Sequence, residues 1–500
     1  MPAPSPATRP GFALPSDVEP GQAVVVGAGS NGLTAAALLA RAGWEVDVYE
    51  AHHAPGGASA TTDVLGEGTR VDLGAAGHPF GAVSPVFHEL SLEDHGLRWC
   101  HPDVVVGHPL PDADAAVLVR DAAATAAGLG QDARAWRAWH APVVRAPYES
   151  AENVLGPLAR PLPHLPAMAG FGLRAPWPAT VAARAAFRTE AARALFAGSA
   201  VHAILPPNRP LTASFGTLFG GLGMSTGWPV AQGGSGAIID ALLAVLFAHG
   251  GRVHLEHRVE DLRELPAADA VLLDLTPRQV MALRSTDLPD AVARPLRSWR
   301  YGTASSKVDF LTSAPIPWRD SRLAGAGTVH VVGTVAELVH AEAEAAAGRM
   351  PDRPFVMVCQ QQAADPTRLT GHAPGTTVVW AYAHGPARYG GDARESIIAQ
   401  IERFAPGFRD TILHSVATGP AALEAWNPNL VGGDIAGGAM SGLQLIARPR
   451  LTAAPHRLRR AGAAKPGLYL ASSSAPPGAG VHGMAGAWAV RTLLRDRSRA

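Results

Sequence analysis

The stretch from Ala23 to Glu50 constrains this chain more than any other part of it. Ala23-Val-Val-Val26 is a short apolar run of the kind that forms a buried parallel strand. Gly27-Ala-Gly29-Ser30-Asn31-Gly32 follows without a gap, Leu33 to Ala42 reads as a helix that stops at Gly43, and Trp44 to Glu50 is a second strand closing in an acid. This is a βαβ unit with glycines where a dinucleotide needs them. Gly27 permits the tight turn, Gly29 lets the backbone approach a pyrophosphate, and Gly32 lets helix and strand pack closely. Ser30 and Asn31 open the helix at its phosphate-binding end. Glu50, eighteen residues beyond Gly32, is placed to accept hydrogen bonds from a ribose hydroxyl pair and would repel a 2′-phosphate.

The next residues narrow the dinucleotide. Gly56-Gly57 follows Glu50 closely and leads into Ala58-Ser59, a second set of unshielded backbone N–H groups for the same pyrophosphate. This run resembles the FAD-binding start of the glutathione-reductase-like and monoamine-oxidase-like flavoproteins. Val71-Asp-Leu-Gly74 resembles the segment that passes beside their flavin ring. Near the other end, Gly478-Ala-Gly480-Val-His482-Gly483 repeats the glycine pattern. Its strand, Gly467 to Ala471, is separated from it by Ser472 to Pro477, so it does not read as a second nucleotide site. The helix from Met484 to Leu494 aims its N-terminus at something electron-rich instead, and the flavin carbonyl end is a fitting target.

With these residues in view the chain resembles the phytoene-desaturase-like FAD oxidoreductases of the wider monoamine-oxidase-like group. More closely, it is similar to the branch known as pyridine nucleotide-disulphide oxidoreductase domain proteins. Further matching stretches are Gly227 to Gly234, Val259 to Leu262, Pro315 to Trp318, Pro428 to Asp434 and Ser472 to Pro477. The resemblance implies an α/β fold, with a Rossmann-like FAD-binding domain of glutathione-reductase type interleaved with an α+β substrate domain. It implies that Val259 pairs its backbone with the adenine, and that Gly480, His482, Gly483 and Met484 approach the flavin. His52 and Ala58 stand where related chains often carry arginine.

Flavin motifs from the beginning, middle and end make the cofactor domain discontinuous. The expected organisation is a flexible N-terminal segment at 1–21, an FAD-binding domain from 22–105, 228–300 and 430–500, and a substrate domain from 106–227 and 301–429. Within the latter, Asp132 to Ala200 is rich in Ala and Arg and broken by prolines, which predicts short helices. Thr376 to His384 predicts a strand with Val378, Trp380, Tyr382 and His384 on one face and Val379, Ala381 and Ala383 on the other.

Composition excludes several classes. Lys+Arg 42 against Asp+Glu 42 gives no basic field for nucleic acid. Cys100 and Cys359 are too few for a disulfide framework or zinc cage, and the histidines lack metal-ligand spacing. The most apolar window, Ala237 to Ala248, is shorter than the roughly 20 residues of a membrane span and contains Asp240. The chain therefore reads as cytoplasmic, with room for peripheral membrane contact and for a homodimer.

Flavin chemistry needs a donor carbon over the ring and a route for one proton, so no triad is required. Candidate catalytic residues are Lys307, Tyr382 and His482, with Trp380 beside Tyr382 as an aromatic wall and His78 close to the Val71–Gly74 segment. Of the 42 basic residues only Lys307 and Lys465 are lysines. In monoamine-oxidase-like enzymes a lysine from a region like that of Lys307 contacts a water at the flavin and assists reoxidation by oxygen. The plainer reading is a surface lysine on a strand edge. The expected activity is hydride abstraction from a largely apolar small molecule, desaturating a C–C bond and passing electrons to an unidentified acceptor. Amine oxidation, double-bond saturation, isomerisation and a non-catalytic flavin-binding scaffold are the alternatives.

Overall fold

The computed structural model describes residues 11–462 and 465–498. Two sheets organise them. The first has six strands in the order Arg457–Arg459, Gly467–Leu470, Ala270–Leu273, Gln22–Val26, Glu45–Tyr49, Arg252–His254. All neighbours pair in parallel except the antiparallel edge strand Arg457–Arg459. The chain runs outward from Gln22–Val26 through two strands and then returns to its other side at Ala270–Leu273. That reversal opens a crevice beyond the carboxyl ends of these two central strands, where open α/β sheets bind ligands.

Three helices cover one face: Ser30–Arg41, Gly236–Ala248 and Met484–Arg497. The first is buried from Asn31 to Ala40 and carries Gly32, Ala35, Ala36, Ala37 and Ala40 among its packed residues, so its neighbours come very close. A Cβ on Gly486 would overlap the Asn31 carbonyl oxygen. Within residues 11–21, Phe12 is 5 % exposed and sets its ring edge-on to Trp488 at 5.2 Å, an apolar anchor for this part of the segment expected to be flexible. Residues 1–10 of the expected N-terminal segment lie outside the described residues.

The second sheet has seven strands in the order Ile412–Thr418, Ala304–Thr312, Thr377–Gly385, Val356–Cys359, Ala326–Val331, Val104–His108, Ala116–Leu118. The period of two divides it as expected. Val379, Ala381 and Ala383 pack with Val308 and Phe310 in one apolar core, while Val378, Trp380 and Tyr382 join Leu311 and Cys359 in another. Short helices fill the expected region, among them Ala133–Arg145, Ala179–Ala186 and Glu190–Ala200. With Thr212–Gly223 they bury Trp136, Phe187, Phe196 and Phe219. Among the described residues no helix is long and apolar enough to cross a membrane.

Candidate active site

A cleft of about 1000 Å³ runs from the switch-point crevice of the first sheet to the inner face of the second. This volume is at the upper end of the range for small-molecule sites, about 300–1,000 Å³. At the first-sheet end it is lined by Gly27, Gly29, Ser30, Asn31, Glu50, Gly57, Ala58 and Ser59, and by Arg258, Val259 and Asp274. Gly27 turns the chain at φ +101. A Cβ on Gly57 would meet the Gly29 Cα at 3.4 Å, so the two glycine turns pack against each other. The Asn31 Oδ1, buried at the cleft wall, has no partner in the protein. Glu50 holds the turn together, accepting from Ala28 N at 2.7 Å and His52 N at 2.9 Å. Each of its oxygens retains a second lone pair for a ribose hydroxyl.

Gly32 and Gly56 were expected at the cofactor, yet neither lines the cleft. Gly32 donates its N–H to Asp274 at 3.0 Å, and its missing Cβ is what admits the Gly27 carbonyl. Gly56 binds Ala28 O through its N–H at 2.9 Å and turns at φ +132. Both shape the cradle from behind it.

The C-terminal glycine motif divides similarly. Gly480 lines the cleft, but His482, Gly483 and Met484 do not. The fully buried His482 turns its Nδ1 to Met484 N at 3.0 Å, capping the helix with its own ring. A Cβ on Gly483 would overlap Thr34, and Met484 is buried in the helical core. Burial pulls the His482 imidazole down to about 4, so it is neutral and structural rather than a proton donor at the cleft.

At the other end the second sheet presents Ser305, Lys307, Thr328, Met357, Cys359, Trp380 and Tyr382. Strand register explains the grouping. Lys307 lies opposite Tyr382, Met357 opposite Tyr382 on its other side, Cys359 opposite Trp380, and Thr328 opposite Cys359. Trp380 and Tyr382 meet edge to face at 5.2 Å, and Trp380 donates its Nε1–H to Asp72 O at 2.9 Å. Burial raises the Tyr382 phenol well above its usual range, so it keeps its proton. Lys307 is neither at an edge nor at the surface. Its strand lies between two others and it is 4 % exposed. Its ammonium pairs with Asp309, two residues along the same face. Burial pulls the lysine down and pushes the aspartate up to about 6. Lys465 instead pairs with Asp287 at 2.7 Å on the surface. His78 lines the cleft and is neutral, lowered to about 4 by burial. Ser235 donates to Ala75 O, so His78 Nε2 must donate to Ser235 Oγ at 2.8 Å.

Two residues of the site went unread in the sequence. One is His202, at the apolar end of the cleft. Asp274 is the other, although Ala270–Leu273 followed by an acid repeats the pattern that ends at Glu50. Burial pushes the Asp274 carboxyl from 3.8 to about 7; the Gly32 N–H opposes this and the Glu50 charge adds to it. A raised carboxyl favours the protonated fold, so its contribution is complete below the ordinary value and is lost as pH rises through about 7. An anion in the cradle should feel the same change. FAD binding to the wild type is expected to weaken about tenfold between about pH 6 and about pH 8, a change of about 1.4 kcal/mol. Asp274→Asn should bind with little pH dependence. Fluorescence titration at the two pH values decides.

The residues present fit FAD: two packed glycine turns, a ribose acid, an open helix N-terminus with an unpartnered amide oxygen, and room beyond for a flavin ring. Fold and site together define a dinucleotide cleft of FAD type, set between a parallel nucleotide-binding sheet and a second, mixed sheet. Comparison with known proteins agrees. Residues 25–90 match the family described as NAD(P)-binding Rossmann-like domain. Over 95 % of this chain and 93 % of the relative, it is 27 % identical to pyridine nucleotide-disulfide oxidoreductase domain-containing protein 2 of Rattus norvegicus. One of the subunits of limonene dehydrogenase from Castellaniella defragrans is 40 % identical over 106 residues, 21 % of this chain and 19 % of that one. Wild-type putrescine oxidase solved with putrescine shares the fold, with TM-score 0.58 and 16 % identity over 96 % of this chain and 100 % of that one.

Proposed function

We propose that this oxidoreductase dehydrogenates a neutral, largely apolar substrate, introducing a C–C double bond. The observation that carries the reading is the distribution of charge along the cleft. Its three lining carboxylates, Glu50, Glu260 and Asp274, all stand at the dinucleotide end. The far end is walled by Ile204, Phe215, Phe219, Trp228, Trp380 and Tyr382, and the charged group that lines it is Lys307, already paired with Asp309 behind the wall. A cationic amine entering this end would lose its hydration, meet a lysine and find no lining carboxylate to pair with, since Asp309 is already taken by that lysine. An uncharged hydrocarbon chain would lose only its contact with water. The stretch shared with the limonene dehydrogenase chain, whose name denotes a hydrocarbon substrate, supports the same direction.

FAD, when bound, supplies the acceptor for a hydride from a substrate carbon. The chain's own residues do the rest. Glycine turns and Glu50 would hold the cofactor's pyrophosphate and ribose, and Val259 with Arg258 would flank its adenine end. Trp380 and Tyr382 form a wall that excludes water and orients an apolar chain, with the indole fixed by its hydrogen bond to Asp72 O. Lys307, held by Asp309, lies opposite Tyr382 with its Nζ 5.8 Å from the Trp380 ring centroid. Through a water at the flavin it would assist reoxidation. Lys307→Met is expected to slow reoxidation by oxygen at least about tenfold, within the range of a proton-handling group, while flavin reduction by substrate changes little. Equal reoxidation rates in stopped-flow would remove that role.

The reaction class is tested by mixing the yellow protein anaerobically with isoprenoid hydrocarbons, amines and acyl compounds. Bleaching of the flavin band by the hydrocarbons is expected. Bleaching by amines alone would replace the reading with amine oxidation, and bleaching by none would leave a flavin-binding scaffold.

A further inference from the structure

The helices beside the second sheet carry a charge imbalance. From Asp132 to Pro210 nine arginines stand against four carboxylates, in a chain that balances overall. Three of those carboxylates are engaged within the protein. Asp132 accepts from the N–H groups of Arg188 and Thr189, Glu152 pairs with His164 at 2.7 Å, and Glu190 accepts from Val335 N. Arg134, Arg137, Arg145, Arg184 and Arg209 are exposed, and none of them forms an ion pair among the described residues.

An apolar face adjoins these arginines. Helix Leu165–Gly172 exposes Leu165, Pro166, Ala169 and Gly172, and Leu173 follows directly. Such spacings define one side of a helix. Its other side is apolar too, with Phe171 buried and Met168 packed on the core. A helix that is apolar all round belongs inside a protein or against lipid, yet Leu165 is 65 % exposed and Leu173 77 %. Trp177 continues the face. Its ring is 54 % exposed while its Nε1–H donates to Leu173 O at 3.1 Å, so the polar edge is turned inward and the apolar body outward. Val181 follows on helix Ala179–Ala186, with Arg184 one turn along the same side.

The arginines fringe this face. Arg134, Arg137 and Arg145 share the exposed side of helix Ala133–Arg145, which packs on the Leu165–Gly172 helix. A Cβ on Gly170 would meet Pro142 Cγ at 2.8 Å. At the other end Leu211 N donates to Pro176 O at 3.1 Å, two residues from Arg209. Within the face, from Pro161 to Trp177, the one charged residue is Arg174. Its guanidinium is held by Gly170 O and Ala138 O.

We propose that this face docks on the surface of an anionic lipid bilayer. Leu165, Leu173, Trp177 and Val181 enter the boundary between headgroups and acyl chains, and the arginines meet the headgroups. An apolar face rimmed by one sign of charge complements a surface that is apolar within and negative at its edge. A second copy of the chain fits it poorly, because a two-fold contact would set the same arginines against each other. The face reaches the cleft through one helix. Ala213 N donates to Trp177 O at 3.0 Å, and farther along helix Thr212–Gly223 both Phe215 and Phe219 line the apolar end. Docking therefore brings that end toward the phase in which an apolar substrate dissolves. This consequence rests on the dehydrogenation proposed above; the docking itself does not.

Flotation of the FAD-loaded protein with lipid vesicles tests the docking. Binding is expected to mixed phosphatidylcholine and phosphatidylserine, and at least about tenfold weaker binding to phosphatidylcholine alone. The double variant Leu173→Asp, Trp177→Glu should bind the anionic vesicles at least about tenfold more weakly, and Arg184→Glu, Arg209→Glu should lose a similar factor. Leu413, an exposed leucine on the opposite edge strand of the second sheet, provides the control: Leu413→Asp should bind as the wild type does. Where a double variant fails to fold, Trp177→Phe decides. Brominated acyl chains should quench part of the wild-type tryptophan emission, and less of it in Trp177→Phe. No flotation with anionic vesicles overturns the proposal, as do equal binding to both lipids, double variants that bind like the wild type, or equal quenching. A dimer in solution that Leu173→Asp, Trp177→Glu splits would assign the face to a second copy and overturn it too. None of these outcomes involves a substrate, so they hold whichever compound bleaches the flavin.

Discussion

Replacing Arg368 with methionine is expected to destabilise the fold by about 3–5 kcal/mol, the range for removing one partner of a buried ion pair. The guanidinium is 1 % exposed and lies between two carboxylates that are fully buried. It donates to Asp72 at 2.7 Å, to Asp365 at 3.0 Å and to Ala231 O at 3.1 Å. The remaining lone pairs are also used. Asp72 accepts from Thr61, Ser235 N and Gln361, and Asp365 accepts from Gly233 N and Thr367. Removing Arg368 leaves two buried charges whose solvation cannot be restored, against a total stability of about 5–15 kcal/mol for a folded protein. The effect should reach the site, because Asp72 O fixes the Trp380 indole. Urea denaturation should show a much lower midpoint with an unchanged slope. An unchanged midpoint would mean that water reaches the pair. Although burial opposes it, the Thr367 hydroxyl, the Gly233 and Thr367 N–H groups and Arg368 together hold Asp365 below its ordinary value. Its contribution is therefore present above the usual carboxylate range and fades as pH falls below about 4.

Gly32→Ala should produce a colourless protein. The added methyl would overlap the Gly27 carbonyl and press on Asp274 Cβ at 3.1 Å, so the helix Ser30–Arg41 must move away from the turn that it abuts. Overpacking of this kind costs about 1–3 kcal/mol in stability. Cofactor retention should suffer more, because the N–H groups of the turn lose their common aim. An FAD affinity at least about a hundredfold weaker, about 2.7 kcal/mol, is expected by fluorescence titration. Gly172→Ala, where the methyl would meet nothing within 4 Å, is the matched control and should stay yellow. A yellow Gly32→Ala with normal affinity would show that the helix can shift without disturbing the cradle.

The nucleotide half of the molecule was legible because its signals are contiguous. Strand, turn, helix and acid between Ala23 and Glu50 specify one another locally, and the alternation around Trp380 set that strand's two faces before its neighbours were known. The second glycine motif was legible only in part. Its separation from the strand rightly sets it apart from a nucleotide turn and reads as a helix end aimed at the flavin, but its sequence does not show that the ring of His482 caps that helix end or that Gly483 packs against Thr34. The surroundings of Lys307 were equally hidden. Nothing near residue 307 says that its strand lies inside a sheet, since that depends on Thr377–Gly385 and Ile412–Thr418 forming on either side. Arg368 and Asp72 stand 296 residues apart, and His202 meets His330 across 128. Buried polar partnerships at such separations leave no periodic trace.

The strand order of the first sheet also bears on how the protein is made. Gln22–Val26 is made well before its partner Ala270–Leu273, and Gly467–Leu470 follows only after a further long stretch of chain. The glycine cradle is therefore translated long before the strands that wall it in. Pairings this distant in sequence form slowly and leave strand edges open while they wait. A nascent chain must carry its apolar Ala23–Val26 run through that interval unpaired on one side. Cofactor loading then waits for Ala270–Leu273 and Gly467–Leu470, and chaperone demand should be set by these later strands rather than by the glycine motif.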